Sequence, residues 1–401
     1  MKRRAFAALL GLALLAAGHR MAVARFAMRT FSLLPGSRVA LQLIGIAAPD
    51  RVAVAGTGSI EGGAYVVPAD ALPGNATLVA ADANALAVRR FRIVAPPRVA
   101  LLAVAAYDDG IVFHDSHTFA LLGTLAIGGS ASDVAAGRGG TFAATDTDGT
   151  TVTIAALEPW SVRAVSGVPL GDELIADAPL QAFLVTERDL DGKGGLARID
   201  AHGVSNVVTG TTAEGIALDA RRQRVFVADT NDDDVAVVDA RRMRVLARIG
   251  GIPRAFGLVL SPDGLRLYAV SNQGRDTIFG APGRVTEIAL DARPHVLARS
   301  ADLTFPIGIT LDAAKGRLFV TDEQADVIDV LDTSTLRPRH APIPTCRIPW
   351  KPFYDARTRR LYVPCAGSDE VDVIDARTLS RVHGAPFHTG GYPLAVSISN
   401  S

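Results

Sequence analysis

The sequence predicts an all-β protein built from repeated four-stranded units. A short motif that begins with arginine occurs four times: RVFVADT at 224–230, RLYAVSN at 266–272, RLFVTDE at 317–323 and RLYVPCA at 360–366. Successive copies start roughly 40–50 residues apart, which is the period of one propeller blade. Apolar residues alternate with polar ones around each copy, and Asp and Gly turns separate the runs, as is typical of short antiparallel strands.

These repeats predict a seven-bladed β-propeller. A single four-stranded unit cannot bury both of its faces, whereas blades packed around an axis bury them and leave only short edges. Two weaker copies lie at 131–157 and 173–200, and the segment 98–116 matches from its second strand onward. Because PLAVSIS (393–399) aligns with PIGITLD (306–312), we expect the last strand to become the inner strand of the first blade and to close the ring.

The chain before the propeller forms a different unit. Residues 30–97 contain several short apolar runs separated by Gly, Pro and Asn, for example RVAVAGT at 51–57. This pattern predicts a small immunoglobulin-like β-sandwich, with APPR (95–98) as the linker to a propeller at 98–401. An irregular extension packed on the propeller is the alternative.

The N-terminus has the pattern of a secretory signal. Lys2, Arg3 and Arg4 precede the apolar segment 5–17, and Ala-Val-Ala at 22–24 offers a cleavage site. We therefore expect residues 1–24 to be a signal peptide and the protein to be exported, whether periplasmic, cell-surface or secreted. An uncleaved membrane anchor is the alternative. No later apolar run approaches the roughly 18 residues of a membrane span.

The amino-acid composition indicates which class of partner the protein does not bind. The chain has 41 Lys and Arg and 41 Asp and Glu, so its formal net charge is zero. Neutral charge and few aromatic residues argue against nucleic acid, which needs basic grooves or stacking platforms. We expect a monomer with an unidentified protein, peptide or glycan ligand.

The only two cysteines, Cys346 and Cys365, fall in the last blade. Cys365 ends its second strand, and Cys346 lies in the loop that leads into its inner strand. Export permits a disulfide, and the hairpin brings the two positions close together. We predict a Cys346–Cys365 disulfide, with two unpaired buried thiols as the alternative.

Acidic residues cluster where the propeller would have its top face. The loops that enter the inner strands and those that join the second and third strands both lie on that face. We predict a channel-mouth site from the residues entering the inner strands: Asp133, Asp172, Glu173, Glu214, Arg254 and Lys351. A calcium ion held by carboxylate oxygens of Glu173, Glu214 and Asp229 is one interpretation. The other is that such aspartates only form turns.

The repeats resemble those of a known class. RVFVADT and its copies are similar to the YVTN repeats of seven-bladed propellers of the lactonase-like, exported bacterial type, and VFVADTNDDDVAVVD (225–239) resembles the NHL repeat. The resemblance implies that an enzyme of this type would use acidic or His/Arg groups at the channel mouth, where Glu173, Glu214, Arg254 and Lys351 stand.

No standard catalytic motif is present. The sequence lacks a G-x-S-x-G elbow, a phosphate-binding P-loop, H-E-x-x-H and C-x-x-C, and we interpret His114 and His117 as solvated polar residues. The leading hypothesis is therefore a non-enzymatic propeller that binds a protein, peptide or glycan on its top face. The alternative is a calcium-dependent lactonase-type hydrolase that uses the acidic mouth.

Overall fold

The computed structural model describes residues 22–26, 31–46, 49, 51–82, 85–98, 101–273 and 280–399. Most of the predicted signal segment, residues 1–21, lies outside this range. Ala22–Val23 is a strand paired with Ala85 and Leu86, so the described fold already includes residues before the predicted cleavage point. Within the described residues, no helix has the length and apolar character to cross a membrane.

The structure is a seven-bladed propeller, as predicted. Each inner strand contacts the inner strand of the next blade, and Phe353–Asp355 of blade 7 contacts Pro393–Ile398 of blade 1, which completes the circle. From the axis outward the strands are: blade 1, Pro393–Ile398, Leu101–Ala106, Gly110–Asp115 and Leu121–Leu125; blade 2, Ala131–Ala136, Thr141–Asp146, Thr151–Leu157 and Trp160–Ser166; blade 3, Gly171–Asp177, Ala182–Leu190, Lys193–Asp200 and Gly203–Gly210; blade 4, Ala213–Asp219, Arg224–Asp229, Asp234–Asp239 and Arg244–Gly250; blade 5, Ala255–Leu260, Arg266–Ser271, Arg284–Ala289 and His295–Arg299; blade 6, Pro306–Asp312, Arg317–Asp322, Val327–Asp332 and Ile343–Pro344; blade 7, Phe353–Asp355, Arg360–Cys365, Glu370–Asp375, and an outer position shared by Ser380–Arg381 and Phe387–His388. Short 3-10 turns occur at Arg138–Gly140 and Thr230–Asp232.

The C-terminal strand closes the ring, which confirms the prediction made from PLAVSIS. Pro393–Ile398 pairs antiparallel with Leu101–Ala106, with Val396 opposite Val104. His114 is buried at this seam, and its ring nitrogens lie 3.0 Å from Phe119 O and 3.0 Å from Thr389 Oγ1. The expectation that His114 is solvated was wrong, because the closure of the ring covers the end of its strand.

Aspartates at strand ends form the turns between strands. Asp239 Oδ1 accepts hydrogen bonds from the backbone N–H groups of Arg241 at 3.0 Å and Arg242 at 2.9 Å. Asp219, Asp332 and Asp375 make the equivalent bonds in blades 4, 6 and 7. Side-chain capping of this kind is why aspartate is favoured in turns, and it accounts for the recurrent aspartates at these positions.

The N-terminal strands form a small β-sandwich. They are Ala22–Val23, Arg25–Phe26, Ser32–Leu33, Arg38–Ala40, Leu43–Ile44, Arg51–Gly56, Ser59–Glu61, Ala64–Val66, Gly74–Ala81 and Ala85–Ile93. Phe26, Tyr65, Leu78 and Phe91 lie in its core. Alternating burial along Gly74–Ala81 shows that the apolar periodicity of the sequence produces the inward face of the sheet.

The sandwich is joined to the propeller by hydrogen bonds as well as by the chain segment 94–98. Ser32–Leu33 pairs in parallel with Ala85–Ile93 on one side and with Leu121–Leu125 of blade 1 on the other. The sheet of the sandwich therefore continues into blade 1. Trp160 Nε1 of blade 2 donates to Pro35 O at 3.2 Å, so the sandwich is held over the rim of blades 1 and 2.

The predicted disulfide is present. Cys346 and Cys365 are bonded, with their Cα atoms 5.7 Å apart and a sequence separation of 19 residues. Pro349 forms an isolated bridge with Cys365, which fixes the loop against the end of the second strand of blade 7. The bond thus anchors the segment that carries Lys351 to the top face.

Candidate functional site

A cavity of about 390 Å³ opens at the axis on the top face of the propeller. Five of the six predicted channel-mouth residues line it: Asp133, Asp172, Glu173, Glu214 and Lys351. The other lining residues are Tyr107, Ser132, Thr147, Asp148, Arg188, Phe256, Asn272, Trp350, Tyr392 and Leu394. A volume of this size suits a small ligand. We call this cavity the mouth.

Arg254, the sixth predicted residue, lies on the top face but does not line the mouth. Its Nε donates to Asn272 O at 3.2 Å and its backbone N–H to Asp233 Oδ1 at 2.8 Å. Through these two bonds Arg254 braces the loops of blades 4 and 5. Asn272, which accepts this bond through its backbone, takes part in the lining of the mouth.

Threonine hydroxyls on second strands hold the acidic residues in place. Thr145 Oγ1 accepts from Asp133 N at 3.0 Å and donates to Asp172 O of the next blade at 2.9 Å. Thr186 Oγ1 repeats this with Glu173 N at 3.0 Å and Glu214 O at 2.7 Å. Each hydroxyl thus ties the loop entering one inner strand to the corresponding loop of the neighbouring blade.

The same arrangement recurs in blade 6. Thr321 Oγ1 accepts from Gly308 N at 3.1 Å and donates to Trp350 O at 2.6 Å, directly before Lys351. The sequence carries a signal for this bond that sequence reasoning missed. In all three blades the threonine is followed by an acidic residue, Asp146, Glu187 or Asp322.

Lys351 lies between two carboxylates at the mouth. Its Nζ is 2.7 Å from Asp133 Oδ2 and 3.1 Å from Glu173 Oε2. Asp133 Oδ2 also accepts from Leu174 N at 2.8 Å, and Glu173 Oε2 accepts from Ile216 N at 3.1 Å. One ammonium group and several backbone donors therefore hold a buried carboxylate, Asp133, and a largely buried one, Glu173, and charge pairing of this kind is what allows buried charges to persist.

Burial alters the protonation of these groups. Burial raises the pKa of Glu173 to about 7 against the opposing charge of Lys351, with Asp133 and Asp172 adding to the rise. The pKa of Asp133 is likewise raised by burial and lowered in part by Lys351. Burial disfavours the charged form of Lys351, but the two carboxylates outweigh it and raise its pKa. The lysine therefore stays charged at neutral pH.

Asp172 and Glu214 form a hydrogen-bonded pair of carboxyl groups. Burial, followed by the charge and the hydrogen bond of Asp172, raises the pKa of Glu214 to about 10, although Arg188 opposes the rise. Glu214 is therefore protonated at neutral pH, and a hydrogen bond with Asp172 contributes to the rise in its pKa. Two adjacent carboxyls that share one proton are a recognised arrangement for acid–base chemistry.

Arg188 adds a guanidinium beside this pair. It extends from the second strand of blade 3, and its Nη2 donates to Thr147 O at 3.2 Å and to the Thr147 hydroxyl. Sequence reasoning missed it, because ERDLDGKGG (187–195) reads as a polar loop. The strand in fact continues to Leu190, which carries Arg188 to the lining of the mouth.

The structure does not bring the three predicted calcium ligands together. Glu173 and Glu214 line the mouth, but Asp229 is buried in blade 4, where Thr209 Oγ1 donates to it at 3.0 Å and Arg248 Nη1 lies 3.3 Å away. In the part of the chain that the structure describes, no group of three His, Cys, Asp or Glu residues could hold a metal ion. Lys351 already supplies a positive charge to Glu173, so these residues do not fit a calcium site.

Comparisons with known proteins identify the fold alone. No family model and no curated protein sequence matches the chain. A functionally unknown protein from Desulfotomaculum acetoxidans superposes with a TM-score of 0.61 at 14% identity, over 75% of this chain and 99% of that chain.

Two further solved structures carry enzyme names. A proposed 6-phosphogluconolactonase from Bacteroides uniformis has a TM-score of 0.59 at 13% identity, over 75% of this chain and 100% of that one. A periplasmic gluconolactonase from Pseudomonas aeruginosa has a TM-score of 0.58 at 15% identity, over 75% of this chain and 99% of that one. The chain therefore has a lactonase-like propeller fold, and a shared fold does not by itself imply a shared activity.

Proposed function

We propose that the protein is a hydrolase of small polar lactones and that the reaction takes place in the mouth. The observation that carries this proposal is the Asp172–Glu214 pair beside Arg188, which puts an acid, a base and a cation in one small cavity. The gluconolactonase names of similarly folded proteins support it as an analogy. This reading replaces our leading hypothesis of a non-enzymatic binding propeller.

The pair can perform both proton transfers of the reaction. As water adds to the lactone carbonyl carbon, a new C–O bond forms and Asp172 takes a proton from the water. As the ring C–O bond breaks, Glu214 gives its proton to the departing ring oxygen. The product is a hydroxy acid, and the proton on Asp172 passes to Glu214 through their hydrogen bond, which resets the pair.

Arg188 and Lys351 have different roles in this scheme. In this scheme the Arg188 guanidinium, which lines the mouth, stabilises the negative charge that develops on the carbonyl oxygen, an effect that is large in a cavity sheltered from water. Lys351 is a positioning residue, since its ammonium group is engaged by Asp133 and Glu173. It fixes the loops from which Asp172 and Glu214 project.

The test is proton release from D-glucono-1,5-lactone, measured above the spontaneous rate. We expect Glu214→Gln and Asp172→Asn each to lower kcat by roughly 100-fold or more, because general acid–base groups contribute about 10²–10⁴. Asp291→Asn is the control, since Asp291 is an exposed turn residue of blade 5 whose side-chain bond to Arg293 N an asparagine can keep.

Two results of this assay would argue against a hydrolase. If the wild-type protein does not exceed the spontaneous rate with any of several sugar lactones, the proposal fails. It also fails if the two variants retain full activity. Binding of a protein, peptide or glycan on the top face would then be the better interpretation.

We further propose that the protein is exported and that its blades are of the YVTN or NHL repeat type. The disulfide between Cys346 and Cys365 supports an oxidising compartment, and one similarly folded protein is named as periplasmic. Alkaline phosphatase fused after residue 30 should become active in a bacterial host if the N-terminal segment directs export.

A further inference from the structure

A second and larger space lies beside the mouth. This groove, of about 960 Å³, runs between the N-terminal sandwich and blades 1 and 2. Tyr107 and Asp148 line both the groove and the mouth, and the Tyr107 hydroxyl donates to Asp148 Oδ2 at 2.8 Å. A ligand seated in the mouth can therefore extend past this hydrogen-bonded pair into the groove.

The sandwich supplies a wall of guanidinium groups. Arg25 and Arg38 are exposed on this wall. Arg89, the third, is half-buried and stacks on the ring of Phe31, with 4.1 Å from its Cζ to the ring centroid. The three guanidinium groups carry hydrogen-bond donors and no acceptors, and Gln42 adds an amide to the same wall.

The propeller supplies a wall of carboxylates. Asp108, Asp109, Asp146 and Asp148 line the opposite side. Asp109 and Asp146 hold loop backbone through Gly391 N at 2.7 Å and Ser130 N at 3.2 Å, whereas Asp108 and Asp148 are exposed. Ionised carboxylates are acceptors alone, so the two walls have opposite charge and opposite hydrogen-bonding character.

We propose that the groove binds the glycosyl part of an extended neutral carbohydrate, so that the substrate is an oligosaccharide ending in an aldonolactone. An anionic ligand would gain from the arginines and lose against the aspartates, and a cationic ligand the reverse. A neutral polyhydroxylated chain satisfies both walls, because each hydroxyl both donates and accepts. This inference rests on the proposed lactone hydrolysis and assigns the sandwich a part in substrate selection.

The test compares D-glucono-1,5-lactone with lactones that carry one more glucose through an α-1,4 or a β-1,4 link. We expect the wild-type protein to prefer at least one glucosylated lactone by about tenfold in kcat/KM. Arg25→Ala/Arg38→Ala should remove that preference and leave kcat/KM for the monosaccharide lactone within about twofold. Arg90→Ala/Arg92→Ala is the matched control, because these exposed arginines lie on Ala85–Ile93 and do not line the groove.

A binding measurement separates this inference from the proposed function. Calorimetric titration with maltotriose, cellotriose, glucose 6-phosphate and glucosamine does not depend on hydrolysis. Binding of a neutral trisaccharide that is lost in Arg25→Ala/Arg38→Ala supports the groove even if no lactone is hydrolysed. Tighter binding of glucose 6-phosphate or glucosamine, or equal behaviour of the two double variants, would overturn it.

Discussion

At the residue scale, the carboxyls at the mouth divide into those that are ion-paired with Lys351 and those that are not. Asp133 and Glu173 share Lys351, whereas Glu214 shares a proton with Asp172. Loss of one member of such a set leaves a buried charge without compensation, which is more costly than replacing the whole set. The chemistry that we propose depends on the second kind of pairing.

Glu187 offers a test of burial without a cation. Its side chain is fully buried, and one oxygen accepts from Asn206 Nδ2 at 2.9 Å. The other oxygen has no hydrogen-bond partner within the described part of the chain, and burial raises the pKa of Glu187 to about 8. The folded state therefore holds a proton that the unfolded state releases from about pH 4.5 upward. The contribution of Glu187 to the free energy of unfolding is therefore fully present below about pH 4.5 and is lost as pH rises to about 8.

Glu187→Gln should remove the loss of stability that the ionisation of Glu187 causes at higher pH. We expect the variant to gain stability over the wild-type protein as pH rises from about 4.5 to 8, by on the order of 3 kcal/mol at pH 8. Denaturant unfolding at several pH values measures the difference. Glu158→Gln, on an exposed turn of blade 2, should show no such trend. A constant difference between Glu187→Gln and wild type across this range would contradict the assignment.

At the scale of the elements, a threonine on the second strand of blades 2, 3 and 6 positions the loops at the mouth. Thr186→Val removes the hydroxyl that bonds both Glu173 N and Glu214 O while it keeps the shape of the side chain. The loop that carries Glu214 then loses its hydrogen bond to blade 3. Because small displacements of a catalytic group lower the rate, we expect lactone hydrolysis to fall by roughly tenfold. The measurement is kcat together with the melting temperature.

Thr286→Val is the control for this substitution. Thr286 is equally buried, but its hydroxyl has no hydrogen-bond partner among the residues that the structure describes, so the change should leave activity unaltered. If both valine variants lose activity alike, the loss reflects general destabilisation and not the bond to the mouth.

The disulfide acts at the same scale, on one loop of blade 7. Closing a loop of 19 residues restricts the unfolded chain and is worth about 3 kcal/mol. We expect Cys346→Ser/Cys365→Ser, or reduction of the wild-type protein, to lower the free energy of unfolding by that amount. Reductant should leave the double variant unchanged, and an unaltered denaturation midpoint on reduction of the wild type would contradict this prediction.

At the scale of the whole molecule, the sequence predicts the ring better than it predicts the site. The motif period and PLAVSIS identify the blades and their closure because each blade repeats the same apolar alternation. Asp172, Glu173, Glu214 and Lys351 could be placed at the mouth, since equivalent positions in all blades meet at the axis. Their partners could not be predicted, because the pairs form between blades and depend on distances around the ring.

Two further features, a short strand and the partners of one buried aspartate, could not be predicted from the sequence. Ser32–Leu33, which joins the sandwich to blade 1, is a strand of two residues and too short for any periodic signal. Asp229 ends a second strand, and its partners Thr209 and Arg248 lie on the outer strands of blades 3 and 4. Its position in the repeat fixes its height on the blade, but not the direction of its side chain.

The proposed chemistry requires Glu214 to be a protonated carboxyl beside Asp172, and infrared difference spectroscopy tests this most directly. At pH 9, above the pKa of about 8 of Glu187 and below that of about 10 of Glu214, the wild-type protein should show a carboxylic acid C=O band. This band should be absent in Glu214→Gln, unchanged in Glu187→Gln, and lost as pH rises past about 10. A wild-type spectrum at pH 9 without a band that depends on Glu214 would contradict the account.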